Sequence, residues 1–193
     1  MAVHIRRPTF AREQPSTLSV AADVLAMDPT ASLSTIAEAA GIGRTTLHKR
    51  YPTRHDLLFA VAKDSLEQLS AATEQSGISD PDVPIPDALR RMVELSVPLG
   101  SRVSFLLRQP SLDSEEELML TLQEMDRPVE AFVRRAQDAG VLRPDVPAWW
   151  VISTLYSILY TTWEGVAMGR LAPLDAPRLA LDTILNGLGG KNS

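Results

Sequence analysis

The sequence predicts an all-α fold, built from a small N-terminal domain and a larger C-terminal one. Apolar residues recur at spacings of three and four residues along almost the whole chain, and no convincing alternation with a period of two indicates a strand. Of the 193 residues, 45% are hydrophobic and 22% are charged, as in a globular protein. A proline-rich stretch, "GISDPDVPIP" at residues 77–86, predicts the loop between the two parts.

Four helices are predicted in the N-terminal part. The first covers about residues 16–27 and ends where "DPT" follows, because a proline disfavours the helical conformation of the residue before it. The second begins after the N-cap Ser32 and stops at Gly41. The third covers about residues 44–51. The fourth starts from Thr53, which is followed by an acid at the third position, as in a capping box.

Five helices are predicted in the C-terminal part, at about residues 86–97, 101–109, 114–139, 147–168 and 176–187. The helix at 114–139 should open with a capping box formed by Ser114 and Glu117. The uncharged run 146–163 approaches the length of a membrane span, yet it carries Ser, Thr and Tyr side chains between its tryptophans. We interpret it as a helix buried on most sides.

The absence of cysteine excludes a disulfide framework and thiolate chemistry. It also suits a reducing compartment. Residues 1–16 lack the apolar segment of a secretory signal peptide, so we expect a cytoplasmic protein. The chain offers no phosphate-binding glycine loop, no paired metal-ligand motif and no Ser/His/Asp arrangement, so it predicts no enzyme activity, no metal site and no cofactor.

Charge is unevenly distributed along the chain. Residues 1–55 contain seven Arg or Lys and four Asp or Glu, a balance of +3, whereas residues 56–193 have a balance of −8. The segment 39–55, "AAGIGRTTLHKRYPTRH", contains no acid at all. An acidic body with a basic N-terminal end indicates that a negatively charged partner binds at that end.

The second and third predicted helices form a helix-turn-helix pattern at residues 32–51. Ala37 is small enough for the two helices to cross closely, Gly41 permits the turn between them, and Leu47 anchors the second helix from beneath. The opposite face of that helix offers hydrogen-bond donors to base edges in a major groove. The alternative for a cationic helix taken alone is a solvated basic helix end.

This segment resembles the DNA-binding part of the TetR family of transcriptional regulators. The matching stretch is "LSTIAEAAGIGRTTLHKRYPTRHDLLFAV", residues 33–61, with its Ile-Ala, Ala-Gly-Ile, Thr-Leu, Tyr-Pro-Thr-Arg and Leu-Leu steps. His48 departs from the family pattern, which usually has tyrosine there, and Gly43 replaces a common serine. The DNA-binding residues predicted from the pattern and the resemblance are Arg44, Thr45, Thr46, His48, Lys49, Tyr51, Thr53 and Arg54.

The resemblance assigns different roles within this set. It implies phosphate contacts for Thr46, Tyr51 and Arg54, and base or backbone contacts for Arg44, Thr45 and Lys49. The chemistry of the Thr53 hydroxyl also suits a phosphate. Three cations ahead of the first helix either reach DNA or form a basic tail without a role, and these are Arg6, Arg7 and Arg12.

The resemblance also implies a DNA-binding domain at residues 10–70 and a ligand-binding and dimerisation domain at residues 71–193. The protein would be a sequence-specific regulator, a ligand-responsive repressor that binds a pseudo-palindromic operator as a homodimer. The alternative is a helical protein–protein adaptor that uses the helix-turn-helix shape without sequence-specific DNA binding. Such an adaptor would bind DNA weakly and with little sequence preference.

Apolar faces on the last two predicted helices support a dimer built from residues 147–168 and 176–188. The first of these helices has one stripe of Trp149, Ile152, Tyr156, Leu159 and Trp163 and a second of Val151, Leu155 and Ile158. The final helix offers Leu181, Ile184, Leu185 and Leu188. Two such helices from each subunit could form a four-helix bundle across a two-fold axis, whereas a monomer core is the alternative use of these faces.

A small-molecule effector is expected in the C-terminal domain, and its identity is left open. Methionines and aromatic residues adapt to varied apolar ligands. The candidates lie on helices that line the cavity in the family, although each of them alone could be ordinary core. They are Met92, Phe105, Met119, Met125, Phe132, Tyr156 and Trp163.

Overall fold

A computed structural model describes residues 15–190, and its regular structure is helical. The described helices are α1 Thr17–Met27, α2 Leu33–Ala39, α3 Arg44–Arg50, α4 Arg54–Gln75, α5 Ile85–Ser96, α6 Gly100–Leu107, α7 Glu116–Asp138, α8 Ala148–Ala167 and α9 Ala176–Leu188. Within this range, one isolated antiparallel bridge between Leu142 and Gly189 is the only β pairing. The predicted all-α fold is confirmed.

The helix ends of the N-terminal part follow from local side chains. The Ser32 hydroxyl accepts the Thr35 amide at 3.1 Å and caps α2. Gly41 has φ +67°, the left-handed conformation that ends α2 and opens the turn to α3. Thr53 and Asp56 cap each other across the first turn of α4. The predicted capping box at this position is confirmed.

The capping box predicted for α7 is wrong. Ser114 and Glu117 do not cap this helix; Glu115 occupies the N-cap position, and its side chain makes no capping bond. The Glu115 amide instead donates to the carbonyl oxygen of Leu112 at 3.0 Å, which continues the 3-10 turn Pro110–Leu112. Because this turn already directs the chain into α7, the helix begins two residues later than the sequence pattern indicates.

Two hydrophobic clusters hold the helices together. The first combines α1 to α4 with α6 and the N-terminal half of α7, and includes Leu25, Leu47 and Phe105. The second joins α5, α7, α8 and α9, with Phe132 and Ile184 fully buried. The expected domain boundary at residue 70 falls inside α4. Helix α6 lies between the parts, packing against α1, α4 and α8.

Polar contacts of α6 add to this packing. The Arg102 side chain is 8% exposed and forms an ion pair with Asp64 of α4. It also approaches the Ser65 hydroxyl oxygen at 3.4 Å. At the end of α6, the Arg108 guanidinium donates to the carbonyl oxygen of Ala26 in the last turn of α1 at 2.7 Å. Helix α6 is therefore tied to both helices that support the helix-turn-helix.

The faces of α8 and α9 predicted for a dimer are largely used inside the chain. Six of those residues are buried in the second cluster: Val151, Ile152, Leu155, Leu159, Ile184 and Leu188. The sequence pattern did not separate this core from an outer face because α8 is apolar on more than one side. Trp150 of α8 and Leu185 of α9 remain 51% and 39% exposed. Among the described helices, none combines the length with the hydrophobicity that a membrane span requires.

Candidate nucleic-acid interface and internal cavity

Helix α3 stands on the surface over a single buried anchor. Leu47 is 1% exposed and packs in the first cluster with Ile36 and Ala37 of α2. The other six residues of α3 are all exposed: Arg44, Thr45, Thr46, His48, Lys49 and Arg50. Since successive helical residues are about 100° apart, Thr45 and Lys49 point most directly away from Leu47. They form the centre of the outward face.

The exposed residues of α3 carry an unbalanced positive charge. Arg44, Lys49 and Arg50 are cations, and the helix contains no acid. Among the described residues, none of these three cations forms an ion pair. Arg50 is absent from the predicted DNA-binding residues, although it follows Lys49 in the same short cationic helix and could have been included for that reason. An exposed, acid-free face of this kind suits the DNA backbone and base edges.

Thr53 is already committed to the cap of α4. Its hydroxyl donates to the Asp56 carboxylate at 2.8 Å, and its amide donates to the same oxygen at 2.9 Å. These bonds lower the pKa of Asp56. Both Thr53 donors are thus used within the protein, and a phosphate contact by this residue would require the cap to open. Tyr51, by contrast, is half-buried against the first cluster.

Arg54 contacts the backbone of the loop between α1 and α2. Its guanidinium donates to the carbonyl oxygen of Pro29 at 2.7 Å and to that of Ala31. Asp28 lies in the same loop, and its pKa is lowered mainly by hydrogen bonds from Thr30, with smaller contributions from the charges of Arg54 and Arg108. Arg54 therefore fixes the approach to α2 against the start of α4. The phosphate contact assigned to it stays a prediction.

A cavity of about 740 Å³ opens between α4, α6, α7 and α8. It is lined by Leu69, Val103, Leu106, Leu107, Asp113, Met119, Leu122, Met125, Asp126, Glu130, Trp149, Ile152, Ser153 and Tyr156. A smaller cavity of about 30 Å³ lies deeper and shares four of these residues, namely Leu69, Met125, Ile152 and Tyr156. The larger volume is typical of a site for a drug-sized molecule.

One polar pair lies on the wall of this cavity. The Tyr156 hydroxyl donates to the Asp126 carboxylate at 2.6 Å. Burial raises the pKa of Asp126, and the hydrogen bond from Tyr156 opposes that shift. Burial and the neighbouring carboxylate both raise the pKa of Tyr156. The pair thus joins α7 to α8 on the wall of an otherwise mostly apolar space.

The comparisons with known proteins agree with this architecture. No protein-family model matches the chain. The HTH-type transcriptional repressor LfrR of Mycolicibacterium smegmatis is 36% identical over 159 residues, which are 82% of this chain and 81% of LfrR. The crystal structure of the TetR-like regulator LfrR from Mycobacterium smegmatis in complex with proflavine has a TM-score of 0.70 at 31% identity, over 89% of this chain and 94% of that one. This chain belongs to the TetR family of transcriptional regulators.

A more distant TetR-family structure has the same fold. The regulator PfmR from Thermus thermophilus is 20% identical, with a TM-score of 0.66 over 93% of this chain and 100% of PfmR. At this identity the likeness concerns the fold alone. Membership of the TetR family makes the chain a DNA-binding transcriptional regulator.

The residues predicted to bind an effector in this TetR-family chain divide into two groups. Met92, Met119, Met125 and Tyr156 line one or both cavities. The other three, Phe105, Phe132 and Trp163, line neither of them. The sequence reasoning also missed Leu69 and the acids of the wall, because no periodicity within one helix reveals a space enclosed by four helices.

Packing explains why the second group lies away from the cavities. Phe105 is fully buried in the first cluster, and Phe132 is buried with the Arg135 guanidinium 5.6 Å from its ring centre. Trp163 packs against Gly100 so closely that a Cβ atom added there would lie 2.2 Å from the Cβ of Trp163. These aromatic residues hold helices together. The predicted contacts of Arg6, Arg7 and Arg12 lie outside the described residues.

Proposed function

We propose that this protein is a ligand-responsive repressor that acts in the cytoplasm and binds a pseudo-palindromic operator as a homodimer. The observation that carries the proposal is the exposed, acid-free face of α3, with Thr45 and Lys49 at its centre. LfrR, the relative that is 36% identical, is a transcriptional repressor, and it has been crystallised with proflavine. The adaptor alternative gains no support from these relatives.

Within the proposed interface, Arg44, Thr45, Lys49 and Arg50 contact bases or the backbone in the major groove. Thr46, His48 and Tyr51 contact phosphates, since each offers a hydroxyl or ring N–H donor near an end of α3. The neighbouring segments hold α3 in this position. Arg54 donates hydrogen bonds to the carbonyl oxygens of Pro29 and Ala31, and Thr53 caps α4 directly after α3.

The homodimer forms through the outward faces of α8 and α9. On α8 this face contains Trp150, Ser157 and Thr161, all exposed, with Ile158 half-buried at its edge. On α9 it contains Leu185 beside the half-buried Leu181. A symmetric contact through these faces presents two copies of α3 to two half-sites, as a two-fold symmetric operator requires.

The effector acts through the cavity and α4. Leu69 of α4 lines the cavity, and the same helix begins at Arg54, beside the helix-turn-helix. A ligand that displaces the cavity end of α4 in both subunits changes the spacing of the two recognition helices. To release DNA, it must bind the DNA-incompetent state better, with a coupling free energy of about 1–3 kcal/mol.

Selection from a random DNA library tests the DNA-binding function. The wild-type protein should enrich a two-fold symmetric sequence at moderate salt, and a matched scrambled sequence should bind far more weakly. The salt dependence of both affinities separates phosphate contacts from base contacts. Recovery of no enriched sequence by a folded, dimeric protein would reject the regulator and favour the adaptor.

A further inference from the structure

The large cavity has acids on its wall and no cation among its lining residues. Asp113, Asp126 and Glu130 contribute carboxylates, whereas no Arg, Lys or His belongs to the lining. Most of the remaining lining is apolar, and its polar side-chain groups besides the acids are one serine hydroxyl, the tyrosine hydroxyl and the indole N–H of Trp149. A carboxylate beside apolar surface is poorly solvated, and a positive charge brought next to it recovers part of the lost solvation.

The three acids differ in how far the protein or the solvent balances their charge. Glu130 accepts a hydrogen bond from Arg134 at 2.6 Å, one turn along α7 at the surface. Asp113 is exposed to solvent in the loop before α7. Asp126 is half-buried and, among the described residues, receives its only hydrogen bond from the neutral Tyr156 hydroxyl. Asp126 is therefore the carboxylate whose charge is balanced least.

The rest of the wall suits a flat aromatic molecule. Trp149 and Tyr156 present rings on the α8 side, and Met119 and Met125 present thioethers from α7. Aromatic faces attract cations, and methionine side chains adapt to planar rings. An anionic ligand, in contrast, would meet three carboxylates and no compensating charge.

We propose that the effector of this protein is an aromatic organic cation, held in the cavity with its positive charge beside the Asp126 carboxylate. The proposal rests on the effector-responsive function proposed above and names the chemical class that this function senses. Tyr156 positions Asp126 through its hydroxyl and offers its ring to the ligand. Trp149, which is 62% exposed, stands at the outer wall.

A pair of probes with one ring system and different charge tests the proposal. Proflavine is a cation at neutral pH, and acridine has the same three fused rings but is uncharged there. Binding of each is measured by fluorescence titration to the full-length wild-type protein, to Asp126→Asn and to the matched control Glu124→Gln. Glu124 lies on α7 as well, but it is exposed and does not line the cavity.

The wild type should bind proflavine at least about tenfold more tightly than acridine. Asp126→Asn should remove most of that preference by weakening proflavine alone, and Glu124→Gln should retain it. Equal affinity for the two probes in the wild type, binding of neither probe, or an unchanged preference in a folded Asp126→Asn protein would overturn the proposal.

Operator binding without any probe separates this proposal from the function on which it rests. Asp126→Asn should bind the selected operator as the wild type does, because Asp126 belongs to α7, away from α3. A protein that binds its operator but shows no preference for the cation loses the proposed ligand class only. A protein that prefers the cation but selects no operator loses the proposed repressor function only.

Discussion

Helix α3 and the cavity carry charges of opposite sign, and each of them presents charge of one sign only. Helix α3 exposes Arg44, Lys49 and Arg50 without an acid, and the cavity exposes acids without a cation in its lining. Other charged residues form ion pairs, as in the contacts of Arg90 with Glu94 and of Arg143 with Asp145. Each of the two surfaces thus presents one sign of charge, opposite to the charge of the ligand proposed for it.

The largest expected effect comes from disrupting the dimer, because α3 and the cavity differ in whether they need a second subunit. Operator binding requires two copies of α3, whereas the cavity is enclosed by helices of one chain. Leu185→Asp puts a charge into the proposed interface, at a cost of about 3–5 kcal/mol if it is buried unpaired. Sedimentation should reveal monomers, and operator affinity should fall by about a hundredfold or more. Proflavine affinity should change little.

Leu174→Asp is the matched control for this experiment. Leu174 lies in the loop before α9 and is 94% exposed, so the same substitution there meets no partner. This variant should remain dimeric and bind the operator normally. A Leu185→Asp protein that stays dimeric with full operator affinity would move the interface to another face of the molecule.

A smaller effect is expected from two cations of the proposed DNA-binding segment. Lys49 forms no ion pair among the described residues, whereas Arg54 donates hydrogen bonds to backbone carbonyls. Lys49→Ala should relax base preference at one operator position by about 1–3 kcal/mol and leave thermal stability unchanged. Arg54→Ala should instead lower the free energy of unfolding by about 1–3 kcal/mol, because the Pro29 and Ala31 carbonyls lose a charged donor. Binding assays on single-base operator variants and denaturant titrations measure the two effects.

The control for both variants is Arg90→Ala on α5. Arg90 is exposed and its ion pair with Glu94 is solvated, so its loss should alter neither operator affinity nor stability appreciably. If Arg54→Ala left stability unchanged and flattened the salt dependence of operator binding, the main role of Arg54 would be to contact a phosphate and not to stabilise the loop before α2.

The smallest effect concerns the connection between the two regions. Arg108 ends α6 and donates to the Ala26 carbonyl of α1, without lining the cavity or belonging to α3. Arg108→Ala should reduce the coupling between effector and operator by about 0.5–2 kcal/mol. The measurement is operator affinity with and without saturating proflavine. Arg91→Ala, at another exposed arginine, should keep the wild-type ratio of the two operator affinities. If Arg108→Ala also keeps that ratio, the contact between Arg108 and Ala26 does not couple the effector to the operator.

The helix-turn-helix could be predicted from the sequence because its determinants are local. Ser32 caps α2, Gly41 forms the turn that follows it, and Leu47 packs in one cluster with the nearby Ile36 and Ala37. Spacing and side-chain chemistry therefore identified α2, α3 and the exposed face. What the sequence could not reveal was the engagement of Arg54, since its partners Pro29 and Ala31 precede it by more than twenty residues.

The cavity was harder to predict because its walls come from distant parts of the chain. Leu69, Asp126 and Trp149 meet there although each belongs to a different helix. Periodicity identified Phe132 and Trp163 as apolar and inward, but it does not distinguish a residue that fills space from one that borders a void. The same limit applied to α9, where Ile184 faces the core and Leu185 faces out.

The walls of the cavity come from α4, α6, α7, α8 and the loop before α7, and none of its lining residues belongs to α1, α2 or α3. Mutations can therefore change the cavity and α3 independently during evolution. Under the proposed function, substitutions at Asp126, Met125 or Trp149 after a gene duplication would alter which compound is bound, while α3 would still bind the same operator. Changes confined to Thr45 and Lys49 would have the reverse consequence, because they would place a new set of genes under the control of the same compound.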